Sequence, residues 1–76
     1  EIYLRGMDAI EATIVLGRYM DEAMRAKLSA VRIIHGKGTG ALRAGLTAYL
    51  EANRFVRHLE TAALEAGGAG ATVIEI

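Results

Sequence analysis

His35-Gly36-Lys37-Gly38-Thr39-Gly40 is the stretch of this chain whose residue types and spacing suit chemistry, and that chemistry is phosphate recognition. Three glycines at alternate positions let backbone approach a ligand without obstruction from Cβ atoms. A β-branched run precedes the stretch and a helical pattern follows it. Amide hydrogens at the helix start, together with the helix dipole, favour an anion there. Lys37 adds a full positive charge, and Thr39 a hydroxyl that caps the helix or binds a phosphate oxygen. His35 falls at the carboxyl end of the run, where open α/β sheets place ligands, and imidazole serves as general acid or base near neutrality.

Other motifs compete for these residues. The P-loop needs Gly, four residues, then Gly-Lys-Ser/Thr, and the chain does not supply it. Gly36 to Ala41 fits the looser dinucleotide fingerprint, but a dinucleotide site needs two mononucleotide-binding halves, and 76 residues are too few. A merely tight strand-to-helix connection accounts for the glycines equally well on spacing alone. The coincidence of His35 and Lys37 with them in one hexapeptide turns the reading toward binding.

The elements that must position this turn follow from periodicity. Ile2-Tyr3-Leu4 reads as a short strand ended by Gly6. Asp8 with Glu11 three residues on resembles a capping box, and a helix runs from there to about Lys27. Ala9, Ala12, Leu16, Met20, Ala23 and Lys27 trace its inner face. Ala30-Val31-Arg32-Ile33-Ile34 is a central strand, nearly continuous in apolar character. A second helix from about Thr39 to Ala52 carries Leu42, Leu46, Tyr49 and Leu50 on one stripe. Residues 55–60 read as a strand, 67–70 as a flexible glycine turn, and 71–76 as a last strand. The order β-α-β-α-β-β predicts a two-layer α/β sandwich with a four-stranded mixed sheet and two helices. Its two crossovers imply right-handed parallel pairing, and its last two strands a hairpin.

Composition narrows the classes. One small domain is expected, with ample apolar content at 53% and no cysteine for disulfides or thiolate metal sites. His35 and His58 alone do not make a structural zinc site. Ser29, the sole serine, has no nucleophile elbow. No apolar run approaches the roughly 20 residues that span a bilayer, so no membrane partner and a cytoplasmic setting are expected. A start at Glu1 without Met suggests a domain of a longer protein. Nine basic and nine acidic residues cancel, yet residues 32–57 carry Arg32, Lys37, Arg43, Arg54 and Arg57 against the single acid Glu51. That surplus is where a phosphate partner is steered. Tyr3, Tyr19, Tyr49 and Phe55 are too few for a broad stacking platform; Tyr3 has the chemistry to stack on a base, but a Tyr in a short strand is more often packed or part of an interface.

Three separated motifs, Leu4-Arg5-Gly6, His35 to Gly40 with Ala41-Leu42-Arg43, and Gly67-Gly68-Ala69-Gly70-Ala71-Thr72-Val73-Ile74-Glu75, resemble the small MutS-related (Smr) domain. The likeness is to the version that ends bacterial second-type MutS proteins, and it spans essentially the whole chain in order. The resemblance implies the fold of the C-terminal domain of initiation factor 3. It also implies a nicking endonuclease acting on branched or structured DNA or RNA. It assigns catalytic roles to Arg5, His35 and Lys37, and contacts to the DNA or RNA phosphate backbone to Gly36, Gly38, Thr39, Gly40 and Arg43. The family's leucine-aspartate-leucine motif falls on Ile2-Tyr3-Leu4, so Tyr3 stands where an acid is usual. A phenol of pKa about 10 is a poor base at pH 7. Glu1, Asp8 and Glu75 replace that acid only if the fold brings them near. No cofactor follows directly, a divalent metal stays open, and attack by an RNA 2′-hydroxyl needs none.

The first helix has more apolar residues than one face needs. Ile10, Ile14 and Val15, with Gly17, lie off its inner stripe, and Ala44, Gly45, Thr47, Ala48 and Ala52 leave the second helix poor in charge. Packing at helix edges is one explanation. The alternative is an interface through Ile10, Ile14, Val15 and Ala48, with another copy or the rest of a parent protein. On that reading the chain is a catalytically weakened or redesigned Smr scaffold acting as a self-association module.

Overall fold

Alternation along two strands decides where the core lies. In the computed structural model, which describes residues 1–38 and 40–76, Val31 and Ile33 are buried, and they face Ile74 and Thr72 across an antiparallel pair. The elements are β1 (Ile2–Tyr3), α1 (Ala9–Arg25), β2 (Ala30–Ile34), α2 (Ala41–Glu51), β3 (His58–Thr61) and β4 (Ala71–Glu75). Two short 3-10 turns, Leu64–Ala66 and Gly68–Gly70, link the last two strands. Ala12, Leu16, Met20 and Ala23 of α1 and Leu46 and Leu50 of α2 close over Val31, Ile33 and Ile74, giving the expected two layers.

The sheet order is β1-β2-β4-β3. β1 and β2 pair in parallel, Ile2 with Ile33 and Tyr3 with Ile34, as the first crossover predicts. The second crossover does not bring β3 against β2. β4 folds back between them, antiparallel to both, and makes the predicted hairpin with β3. The reason is burial. β4 carries the buried Ala71, Thr72 and Ile74, whereas His58, Glu60 and Thr61 of β3 are exposed, and a polar strand belongs at an edge.

Caps and turns set the element ends. Asp8 accepts a hydrogen bond from the Glu11 amide at 2.8 Å, as the capping box predicts. The helix stops before Lys27, which lies at φ 58°. There the Leu28 amide donates to Ala23 and the Lys27 amide to Met24, a Schellman closure. β3 starts later than residue 55 because Asn53 turns the chain: its side-chain oxygen accepts from the Phe55 amide at 2.8 Å. The glycine run at 67–70 forms defined turns, and the Gly70 carbonyl accepts from the amides of both His35 and Gly36.

Some apolar residues read as outward-facing turn inward. Val15 is half-buried against the core. Gly17 faces the Tyr49 hydroxyl, and a Cβ on Gly45 would lie 2.9 Å from that of Ala9. Both glycines therefore serve the close crossing of α1 and α2.

Candidate functional site

The turn after β2 is built by alternation and glycine geometry. Val31, Ile33 and His35 follow one another on the core side, so the His35 ring points inward and is 5% exposed. Its Nδ1 stands 2.8 Å from the Gly36 carbonyl and its Nε2 2.9 Å from the Thr72 hydroxyl. A carbonyl only accepts, so Nδ1 carries a proton in the first contact; in the neutral ring Nε2 then accepts from Thr72. Both nitrogens are occupied, and the ring ties the turn to β4.

Leu4 is fully buried, while Tyr3 and Arg5 on either side of it are exposed. Both side chains therefore leave the core. Arg5 lies across the turn: a Cβ on Gly36, at φ +79°, would come within 3.2 Å of its Cγ and Nε. Only glycine lets the guanidinium stem cross the backbone that closely. Lys37 is exposed, and its Cγ is 3.6 Å from the Cβ position of Gly70.

Two depressions flank the turn. The helix-side cleft, about 380 Å³, is lined by Gly6 to Ala9, His35 to Gly38 and Gly40 to Arg43, so the starts of both helices meet there. The glycine groove, about 360 Å³, is formed by Arg5, Ile34, Gly36, Lys37, Gly38, Gly67 and Gly70. Charge separates them. Each is lined by two cations, Lys37 with Arg43 in the cleft and Lys37 with Arg5 in the groove, but the cleft also holds the acid Asp8 and the groove holds none. An anion gains more in the groove.

The expected residues are thus sorted. Arg5, Lys37, Gly36 and Gly38 meet in the glycine groove. Gly40 and Arg43 line the other cleft, and Arg43 donates to the Thr61 hydroxyl. Thr39 lies outside the described residues. Ile10 and Ile14 are exposed at 77% and 55%, and Ala48 is exposed on α2. Sequence reasoning missed Gly67 and Gly70 as groove walls; their run was visible, but not that it folds against Gly36.

Of the three candidate acids the fold brings Asp8 to the turn, in the helix-side cleft, and none of them lines the glycine groove. Glu1 pairs with Arg32, Asp8 caps α1, and Glu75 lies beside His58 and Ala30 at the other end of the sheet. Among the described residues no three His, Asp or Glu gather to hold a metal ion. The charged groups lining the groove, a guanidinium and an ammonium, repel a divalent cation and no carboxylate lines it, so the groove does not fit one.

The basic surplus at 32–57 is not one patch. Arg32 is engaged by Glu1 and by the Ala66 carbonyl. Arg54 stacks 5.1 Å over the Phe55 ring. Arg54 and Arg57 precede β3, whose start pairs with the end of β4, away from the glycine turn. No helix among the described residues is long and apolar enough to cross a membrane.

A family model described as the Smr domain matches residues 2–76. The endonuclease MutS2 of Leuconostoc mesenteroides is 49% identical over 73 residues, which are 96% of this chain and 9% of that protein. That of Thermomicrobium roseum is 47% identical over 74 residues, 97% of this chain and 9% of its own length. The chain thus spans about a tenth of these curated relatives. Among solved structures, the Smr domain of Thermus thermophilus MutS2 superposes with a TM-score of 0.94 at 36% identity, covering 97% of this chain and 92% of that one. YdaL, a stand-alone small MutS-related protein of Escherichia coli, shares the fold at TM-score 0.88 and 24% identity, over 97% of this chain and 63% of its own.

Proposed function

The chain belongs to the Smr domain family, and on that premise we propose that it binds the phosphate backbone of structured DNA or RNA in the glycine groove. One observation carries the reading: Arg5 crosses Gly36 and meets Lys37 in a groove walled by glycine backbone, with no acid among its lining residues. Two cations around a concave backbone surface suit a phosphodiester, and the glycines leave room for its sugar on either side.

Nicking is the reaction that the relatives' name, endonuclease, brings to this site. Arg5 and Lys37 are placed to stabilise charge developing on a bound phosphate. His35 contributes differently from the acid–base role expected of it: its ring holds the turn by two hydrogen bonds. It is a positioning residue on this reading.

Binding of a fluorescent branched DNA and a structured RNA tests the proposal. Arg5→Ala and Lys37→Ala each weaken binding and lower the salt slope by about 1, because each removes one phosphate contact. Unchanged affinity in both variants sinks it. A second reading, self-association through α1, rests on the exposed Ile10 and Ile14; a strictly monomeric species in sedimentation at high concentration removes it.

A further inference from the structure

Tyr3 is an aromatic ring that no other described residue engages by a hydrogen bond or ring contact. The chain has four aromatic residues, three Tyr and one Phe. Tyr19 accepts a hydrogen bond from the Glu1 amino group and packs on the core, as does Tyr49. Phe55 carries Arg54 over its ring. Tyr3 alone is 65% exposed, in a strand, and its hydroxyl makes no hydrogen bond among the described residues.

Its position is specific. Tyr3 pairs with Ile34, and Ile34 lines the glycine groove. Arg5, two residues on, spans at most roughly 7 Å of chain from it. Leu4 between them is fully buried, so ring and guanidinium both point away from the core. The ring therefore leaves β1 on the sheet face that it shares with Ile34, one strand over from a residue that lines the groove.

We infer that Tyr3 is a stacking seat for an unpaired nucleobase, next to a phosphate held in the glycine groove by Arg5 and Lys37. This rests on the phosphate-binding reading and adds substrate class to it: the domain prefers nucleic acid with an unstacked nucleotide over regular duplex. A base inside a duplex has both faces covered, whereas an unpaired base gains a partner on the phenol ring. Stacking is indifferent to base identity, so the preference is for structure and not for sequence.

The test compares a short thymidine oligomer with an abasic oligomer of the same length and charge, by fluorescence anisotropy. The expected result is that the domain binds the thymidine oligomer about 5- to 160-fold more tightly, the range of one aromatic–base stack. Tyr3→Ala abolishes that ratio while leaving affinity for the abasic oligomer unchanged, and Tyr3→Phe keeps it. Circular dichroism checks that the exposed substitutions leave the fold intact. A base-to-abasic ratio near 1 in the unmodified protein, or a ratio that persists in Tyr3→Ala, overturns the base seat alone. If neither oligomer binds in a salt-dependent way, the phosphate reading fails and the base seat with it.

Discussion

The imidazole of His35 is committed on both sides, to the Gly36 carbonyl and to the Thr72 hydroxyl, in a setting only 5% exposed. Removing it leaves a buried hydroxyl without its partner and a cavity behind it. His35→Ala is therefore expected to cost about 2–4 kcal/mol, read by urea denaturation. Thr72→Val keeps the shape but strips the hydroxyl from Nε2, and about 1–2 kcal/mol should be lost. Effects below about 0.5 kcal/mol in both variants would show that the ring is not a structural tie. The hexapeptide itself was legible in the sequence; the direction of His35 was legible only in principle. Val31, Ile33 and His35 share the period-2 face, but Ile34 makes the run apolar on both faces and hides the alternation. Arg5 and Tyr3 posed the same problem around Leu4. The groove residues Gly67 and Gly70 could not be found, because their closeness to Gly36 depends on a strand pairing between residues far apart in the chain.

At the scale of elements, the places where the sequence misled are those where a usual signal was missing or misleading. α1 ends in a Schellman closure with Lys27 at φ 58°, a position where glycine is the common residue. With no glycine to mark the stop, periodicity carried the helix two residues too far. A left-handed lysine costs roughly 1–2 kcal/mol. Lys27→Gly relieves that strain, offset by about 0.4–1 kcal/mol of extra freedom in the unfolded chain. The net gain expected is about 0.5–1 kcal/mol, seen as a rise of a few degrees in Tm. A fall in Tm would mean that the lysine side chain contributes packing or charge that outweighs its strain. Strand order follows the same logic. The apolar Ala71–Ile74 segment and the polar His58–Thr61 segment already carried the information that β4 is internal and β3 an edge; crossover counting alone overlooked it.

For the whole molecule, the balance of nine cations against nine anions matters less than where the cations are held. The five basic residues between 32 and 57 suggested one steering patch. The fold instead ties Arg32 to Glu1, bonds Arg43 to Thr61, and sends Arg54 and Arg57 toward the end of the sheet away from the glycine turn. The cations left at the groove are Arg5 and Lys37. Each phosphate neutralised on B-form DNA contributes about −0.9 to the slope of log K against log salt. Two contacts therefore predict a slope of about −2, and Arg54→Ala with Arg57→Ala should leave both slope and affinity unchanged. A measured slope near −4, reduced toward −2 by the Arg54 and Arg57 substitutions, would show instead that the nucleic acid wraps from the glycine turn to the far end of the sheet. A slope near −2 that survives them confines the electrostatic contact to one end. Affinity must then come from what lies beside those two charges, the glycine walls and the exposed ring of Tyr3.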